Sequence, residues 1–206
     1  GIQIVYGPHV TVIKSNLEDY LETAPDVEYT KDNIDSMEET KEVQEEHREE
    51  KVTKTITVSS PITGIAADLA TAPDEAFAGR MMGDGAVVTP QDALITAPED
   101  GEVVFVFDTK HAIGFLTDSG LSMLLHIGID TVKLEGKGFE VLVENGQKVK
   151  KGDPMMRLDL SYLSENAPSL ASPVLCTELE DNQKIRLLKE GEIKDGEPLF
   201  AVDFYE

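Results

Sequence analysis

A chain of 206 residues with 40% apolar residues is long enough to bury a sizeable core, and with 6% aromatics and no Trp that core must be mostly aliphatic. Eighteen Lys and Arg against 40 Asp and Glu leave a formal charge of -22, which argues against nucleic acid and anionic membrane surfaces, since both demand a basic stripe. The single cysteine, Cys176, excludes an internal disulfide and a Cys-based zinc site, and no run approaches the ~18 consecutive apolar residues of a membrane span.

Residues 1–22 read as a short strand over 2–6, a Gly7-Pro8 turn and a helix whose Val10, Ile13, Leu17, Tyr20 and Leu21 recur at the spacing of one apolar face. One strand and one helix cannot bury that face alone, so the segment reads as the tail of a preceding domain. The opening at Gly1, on an apolar run rather than a basic one, carries no secretory signature and hints at a fragment of something longer. The default expectation is a reduced cytoplasmic protein. Residues 23–55 differ in kind. Between Asp26 and Glu50 stand eleven acidic residues against three basic ones, with no sustained apolar face. Such a stretch cannot offset an ordering cost of roughly 1–2 kcal/mol per residue, and it reads as a disordered, self-repelling acidic linker.

Residues 56–206 are the expected folded domain. Apolar and β-branched runs predict strands over 55–59, 64–66, 86–89, 101–107, 112–116, 122–129, 138–143, 154–160 and 198–204. Gly, Pro, Asn and Asp turns separate them every 8 to 12 residues, a rhythm of all-β sandwiches and barrels rather than βαβ units. Helix is expected only in short pieces, over 160–165 and 177–182. Ser60-Pro61-x-x-Gly64, Ala97-Pro98-x-x-Gly101 and Ser172-Pro173 echo one another as strand edges, consistent with a duplicated small-β unit. The run from Glu144 to Met155 resembles the turn-into-strand pattern of lipoyl- and biotinyl-type hammerheads. The fold expectation is therefore an all-β, duplicated barrel-sandwich hybrid with short helices.

No Gly-rich phosphate loop precedes a helix, and no Gly-x-Ser-x-Gly elbow occurs. What remains is histidine. His9 and His47 read as solvent-exposed residues of the N-terminal segment and the linker. His126 follows Leu121-Ser122-Met123-Leu124-Leu125. Strand alternation puts Ser122, Leu124, His126 and Gly128 on the less buried face and Leu121, Met123, Leu125 and Ile127 toward the core. Phe105, Phe107, Thr109 and His111 likewise share a face, with the Thr109 hydroxyl in reach of the His111 ring. Side by side, the two strands bring both imidazoles to one small anion. A neutral imidazole has a free lone pair at pH 7 and can attack a phosphoryl group in line while a second imidazole hydrogen-bonds its oxygens. On spacing alone the plainer reading, two polar residues on strands, stays open.

The string Leu124-Leu125-His126-Ile127-Gly128-Ile129-Asp130-Thr131-Val132, with Gly136 and Gly138-Phe139 beyond it, resembles the phosphorylation signature of glucose-type enzyme IIA domains of the phosphoenolpyruvate-dependent sugar phosphotransferase system. Pro73-Asp74, Phe77-Ala78, Met82-Gly83-Asp84-Gly85, Ala97-Pro98, Asp100-Gly101, Phe107-x-Thr109-x-His111-Ala112, Gly146-Gln147, Gly152-Asp153 and Pro173-Val174 match in the same order. The resemblance implies that His126 accepts the phosphoryl group, that His111 stabilises it, and that Thr109 orients His111. It implies a docking face of Phe77, Phe107, Leu124 and Val132, fringed by Asp74, Asp130 and Glu180. The donor would be the histidine-containing phosphocarrier protein, HPr. Leu124, where an aromatic is common, and Met81 and Met82, in place of branched aliphatics, depart from the family pattern. Residues 1–22 resemble the last strand and helix of a glucose-type IIB domain. The implied acceptor is the cysteine of IIB, with the membrane domain IIC engaged indirectly and the chain tethered to a sugar permease.

Cys176 reads as structural. No cofactor and no resident metal are expected, although His111 and His126 are potential zinc ligands should a partner supply a carboxylate. Three rivals are weighed. A biotinyl or lipoyl carrier lacks a suitable context for Lys148, Lys150 or Lys151. A zinc peptidase lacks the His-x-His that would complete His126-x-x-x-Asp130. A regulatory domain acting on other transporters or enzymes through the His126 face is the alternative function. The sugar is not legible.

Overall fold

The computed structural model describes residues 51–206. The readings for 1–22 and for the acidic stretch up to residue 50 lie outside the described residues. Thirteen strands follow: β1 (Val52–Ser59), β2 (Ile62–Asp68), β3 (Asp84–Thr96), β4 (Gly101–Val106), β5 (Ala112–Thr117), β6 (Ser122–His126), β7 (Phe139–Val141), β8 (Lys148–Val149), β9 (Pro154–Leu158), β10 (Ser172–Cys176), β11 (Gln183–Leu187), β12 (Gly191–Ile193) and β13 (Pro198–Tyr205). Two short helices, α1 (Glu75–Ala78) and α2 (Leu160–Asn166), and two 3-10 turns at Leu69–Thr71 and Thr131–Leu134 complete them. The all-β barrel-sandwich with short helices is the fold observed. One sheet runs β1-β13-β11. The larger runs β12-β2-β3-β10-β6-β5-β4-β8, with β9 joining β3 to β7, and every pair is antiparallel.

The long β3 lets one sheet wrap the core. Its first half pairs with β2 and β10, its second half with β9 and, at Ile95, again with Ile62 of β2. The change of partner falls near Pro90, which has no N–H to give to a ladder. Opposite it Gly64 is pressed so closely that a Cβ there would lie 2.0 Å from the Thr89 carbonyl oxygen. The main core, including Val58, Ile62, Val88, Phe115, Leu125, Met155, Val174 and Phe200, fills the concave side. Each such side chain contributes roughly 1.5–3 kcal/mol by leaving water.

A second, smaller cluster of Leu69, Ala72, Phe77, Ala112, Leu124, Ile129 and Leu175 lies apart from that core. It corrects the face reading of β6. Leu124 is 7% exposed rather than at the surface, because the 69–78 segment folds over the outer side of β10, β6 and β5. A strand covered on both faces loses the alternation by which it was read.

Other differences have local causes. β1 begins at Val52, ahead of the expected domain start at 56, because Val52 and Lys54 already pair with Tyr205 and Phe204. β6 stops at His126 rather than 129 because Gly128 (φ +70) and Asp130 (φ 59) turn the chain. The helix expected over 177–182 is absent. Leu179 is its only large apolar residue, and Glu180 N–H donates instead to Gln183 Oε1. α1 was not expected, although Asp74 is a fitting N-cap whose Oδ1 accepts from Ala76 N at 2.9 Å and Phe77 N at 3.2 Å.

Candidate functional site

The two histidines meet because β5 and β6 pair in a register that sets Ala112 opposite His126. Ile127 N–H donates to the His111 carbonyl at 2.8 Å, fixing the backbones just beyond the strand ends. The rings come to 4.9 Å between centroids at 81°, edge to face. Thr109 and His111 do not lie on a strand. β4 ends at Val106, and both residues sit in the turn to β5, with Lys110 N–H donating to the Phe107 carbonyl at 2.7 Å. Lys110 takes a left-handed conformation (φ 58), and the turn brings Thr109 Oγ1 to 2.7 Å from His111 Nδ1.

His126 Nδ1 lies 2.8 Å from the Gly128 carbonyl oxygen. A carbonyl only accepts, so Nδ1 carries the proton and Nε2 keeps its lone pair. The Phe77 ring stands 4.9 Å from His126, and Phe107 5.2 Å from His111. Burial, aided by the charge His111 would carry, pushes His126 down from 6.5 to about 4 against the opposing Gly128 carbonyl and Asp74 carboxylate. Burial also lowers His111. At neutral pH both rings are uncharged. A neutral nucleophilic nitrogen therefore sits on a half-buried ring beside a second imidazole. That arrangement suits accepting a phosphoryl group through nitrogen.

The expected docking residues divide. Phe107 and Val132 are exposed, at 42% and 47%. Phe77 and Leu124 are buried in the smaller cluster beneath the site. Asp74 is half-buried at the start of α1, and Asp130 is exposed and paired with Lys133 Nζ at 2.6 Å. Glu180 lies elsewhere, lining a groove with Lys54, Ser119, Gln183 and Phe204. The acid beside the site's apolar depression is Glu178. That depression, of about 370 Å³, is lined by Met82, Val104, Phe105, Phe107 and Leu124 among others. Phe105 keeps the face it is expected to share with Phe107, and Val104 joins it at the surface because a bulge between Val103 and Phe105 breaks the alternation of β4. Met82, a departure from the family's branched aliphatics, lines the depression as well.

Cys176 is 1% exposed in β10, and burial pushes its thiol up to about 12, so it stays protonated and unreactive. Among the described residues no group of three or more His, Cys, Asp or Glu is arranged to hold a metal ion. No helix among them is long and apolar enough to cross a membrane.

Residues 56–182 match the family model described as phosphoenolpyruvate-dependent sugar phosphotransferase system, EIIA 1. The glucose-specific EIIA component of Staphylococcus epidermidis is 42% identical over 146 residues, covering 71% of this chain and 88% of that protein. The glucose-specific EIICBA component of Staphylococcus carnosus is 35% identical over 205 residues, covering 98% of this chain and 29% of that protein. The chain spans between 22% and 29% of the length of the first EIICBA relatives it matches. Among solved structures, the glucose permease IIA of Mycoplasma capricolum superposes with a TM-score of 0.67 at 38% identity, over 72% of this chain and 96% of that one.

Proposed function

Because the chain belongs to the EIIA 1 family of the phosphoenolpyruvate-dependent sugar phosphotransferase system, we propose that it relays a phosphoryl group through His126 in sugar uptake. The observation that carries this reading is the His126 ring itself, with Nδ1–H held by the Gly128 carbonyl and Nε2 free beside His111. Nε2 attacks the phosphorus of a phosphohistidine on HPr. The new N–P bond forms as the old one breaks, its electron pair returns to the donor imidazole, and no proton needs to move on His126. The Thr109 hydroxyl stands 2.7 Å from His111 Nδ1; in the tautomer where it donates there, His111 Nε2 carries the proton that hydrogen-bonds a phosphoryl oxygen. A IIB cysteine thiolate then takes the group, restoring the neutral ring.

The docking surface is the apolar depression beside the histidines, with Phe107, Val104 and Phe105 exposed on it and Glu178 and Asp74 as acids suited to a basic partner. Residues 1–22 belong to a IIB unit and residues 23 to about 50 are the tether, a division supported by alignment over nearly the whole chain with an EIICBA protein. Joined to IIB and IIC in one polypeptide, as the EIICBA relative's name describes for that protein, the β domain would stay on a membrane permease beside its acceptor. Incubation with phosphoenolpyruvate, enzyme I and HPr, followed by intact mass, tests the reading. One acid-labile phosphate is expected, absent in His126→Ala. Uptake of that label by His126→Ala would sink it. His111→Gln should still accept phosphate but pass it on slowly.

A further inference from the structure

The Gly128 carbonyl decides which nitrogen of His126 is the nucleophile, and it hangs on the softest residue type in the backbone. Gly128 stands at φ +70, where its own sequence does not lock either flanking peptide. The peptide after it is held by a backbone bond, Ile129 N–H to the Ser169 carbonyl at 2.9 Å. The peptide before it is held only by side chains. Ser172 Oγ accepts from Gly128 N–H at 3.0 Å and donates to the Leu170 carbonyl at 2.8 Å. From the other side Thr131 Oγ1 donates to the Ile127 carbonyl at 2.5 Å. Ser172 and Thr131 are each 0% exposed, so water cannot replace either hydroxyl without rearrangement.

We infer that Ser172 is a positioning residue for His126. Together with Thr131 it clamps the peptide between Ile127 and Gly128, which fixes the near side of the glycine while the Ile129–Ser169 bond holds the peptide that carries the Gly128 carbonyl, so that this carbonyl stays aimed at Nδ1 and the ring proton stays off Nε2. Ser172 touches neither His126 nor the transferred group, and its effect passes through Gly128. It opens β10, where Pro173 follows and offers no N–H, so the serine side chain alone makes this link from the start of the strand to Gly128. In the sequence Ser172 stands out only as a strand edge.

The inference rests on the reading of His126 as the acceptor, and its test does not depend on phosphorylation. Histidine-15N-labelled full chain is observed at pH 7 by ring nitrogen–carbon-proton correlation, which reports the tautomer. Wild type and Ser172→Thr, which keeps the hydroxyl, should show His126 as the Nδ1–H form alone. Ser172→Ala should show a resolvable Nε2–H population. Phosphoryl uptake from phospho-HPr should fall about tenfold, the scale of one lost buried hydrogen bond, with half-saturation unchanged. Thr131→Val, nearly the same shape, should move the ring spectrum the same way. If Ser172→Ala and Thr131→Val are less stable yet keep the wild-type ring spectrum, the residues are merely structural and the inference is overturned. If the ring spectra change as stated while His126→Ala still takes the label, the clamp stands and the acceptor assignment is what fails.

Discussion

Acidification separates this site from an ordinary histidine. In water a histidine titrates near 6.5, so at pH 5.5 only roughly a tenth of it keeps a free lone pair. His126, pushed down to about 4 by burial and by His111, should be almost wholly neutral there. The groups that face it are His111, which opposes its charge, and the Asp74 carboxylate at the start of α1, which favours it. The folded value lies below the unfolded one, so the unfolded chain takes the proton first as pH falls. Stability tied to this ring is therefore complete above pH 6.5 and is lost progressively down to about pH 4. The drop from 6.5 to about 4 corresponds to at most about 3 kcal/mol, at roughly 1.4 kcal/mol per pH decade. Burial lowers His111 as well and raises the half-buried Glu99 carboxyl above its ordinary value, so the comparison needs His126→Gln as its reference. Denaturant unfolding of both proteins between pH 7.5 and 4, with the ring proton of His126 followed by NMR, makes the measurement. The wild type should lose more stability than the variant across that window, and the ring should titrate near 4. A midpoint near 6.5 with parallel stability curves would refute the burial argument.

Two further substitutions probe the frame and the second histidine. Gly64→Ala drives a methyl against the Thr89 carbonyl, where only backbone can yield, and should cost about 3 kcal/mol or more, seen as a melting temperature lower by about 10 °C. An unchanged melting temperature would mean that β2 and β3 separate more easily than their pairing suggests. Thr109→Val keeps shape but removes the hydroxyl 2.7 Å from His111 Nδ1. It should slow transfer from phosphorylated His126 to IIB about tenfold while leaving uptake from HPr within about twofold, as read by quench-flow. Equal slowing of both steps would place Thr109 in acceptance as well.

The neighbourhood of the two histidines is more legible than the surface around it. The strings around His126 and His111 resemble a known signature, and the pairing of β5 with β6, with the turn that precedes β5, brings His126, His111 and Thr109 together. Alternation along β6 puts Leu124 on the open face because it carries no trace of residues 69–78, which are distant in sequence and bury Leu124 in one cluster with Phe77. Glu180 and Glu178 are both acids on one irregular connection. Which of them faces the depression depends on how that connection leaves β10. The helix that Asp74 caps is a single turn and has no period to recognise in the sequence. Ser172 carried no signal, because a hydroxyl bonded to a peptide 44 residues away looks in sequence like any strand-edge serine.

The identity of the phosphorylated nitrogen tests the role of His126 most directly. With histidine-15N-labelled protein phosphorylated by phosphoenolpyruvate, enzyme I and HPr, phosphorus–nitrogen coupling identifies the bonded atom. The phosphoryl group should sit on His126 Nε2, with Nδ1 still protonated toward Gly128. A phosphoryl group on His126 Nδ1, on His111 or on Cys176 would contradict it.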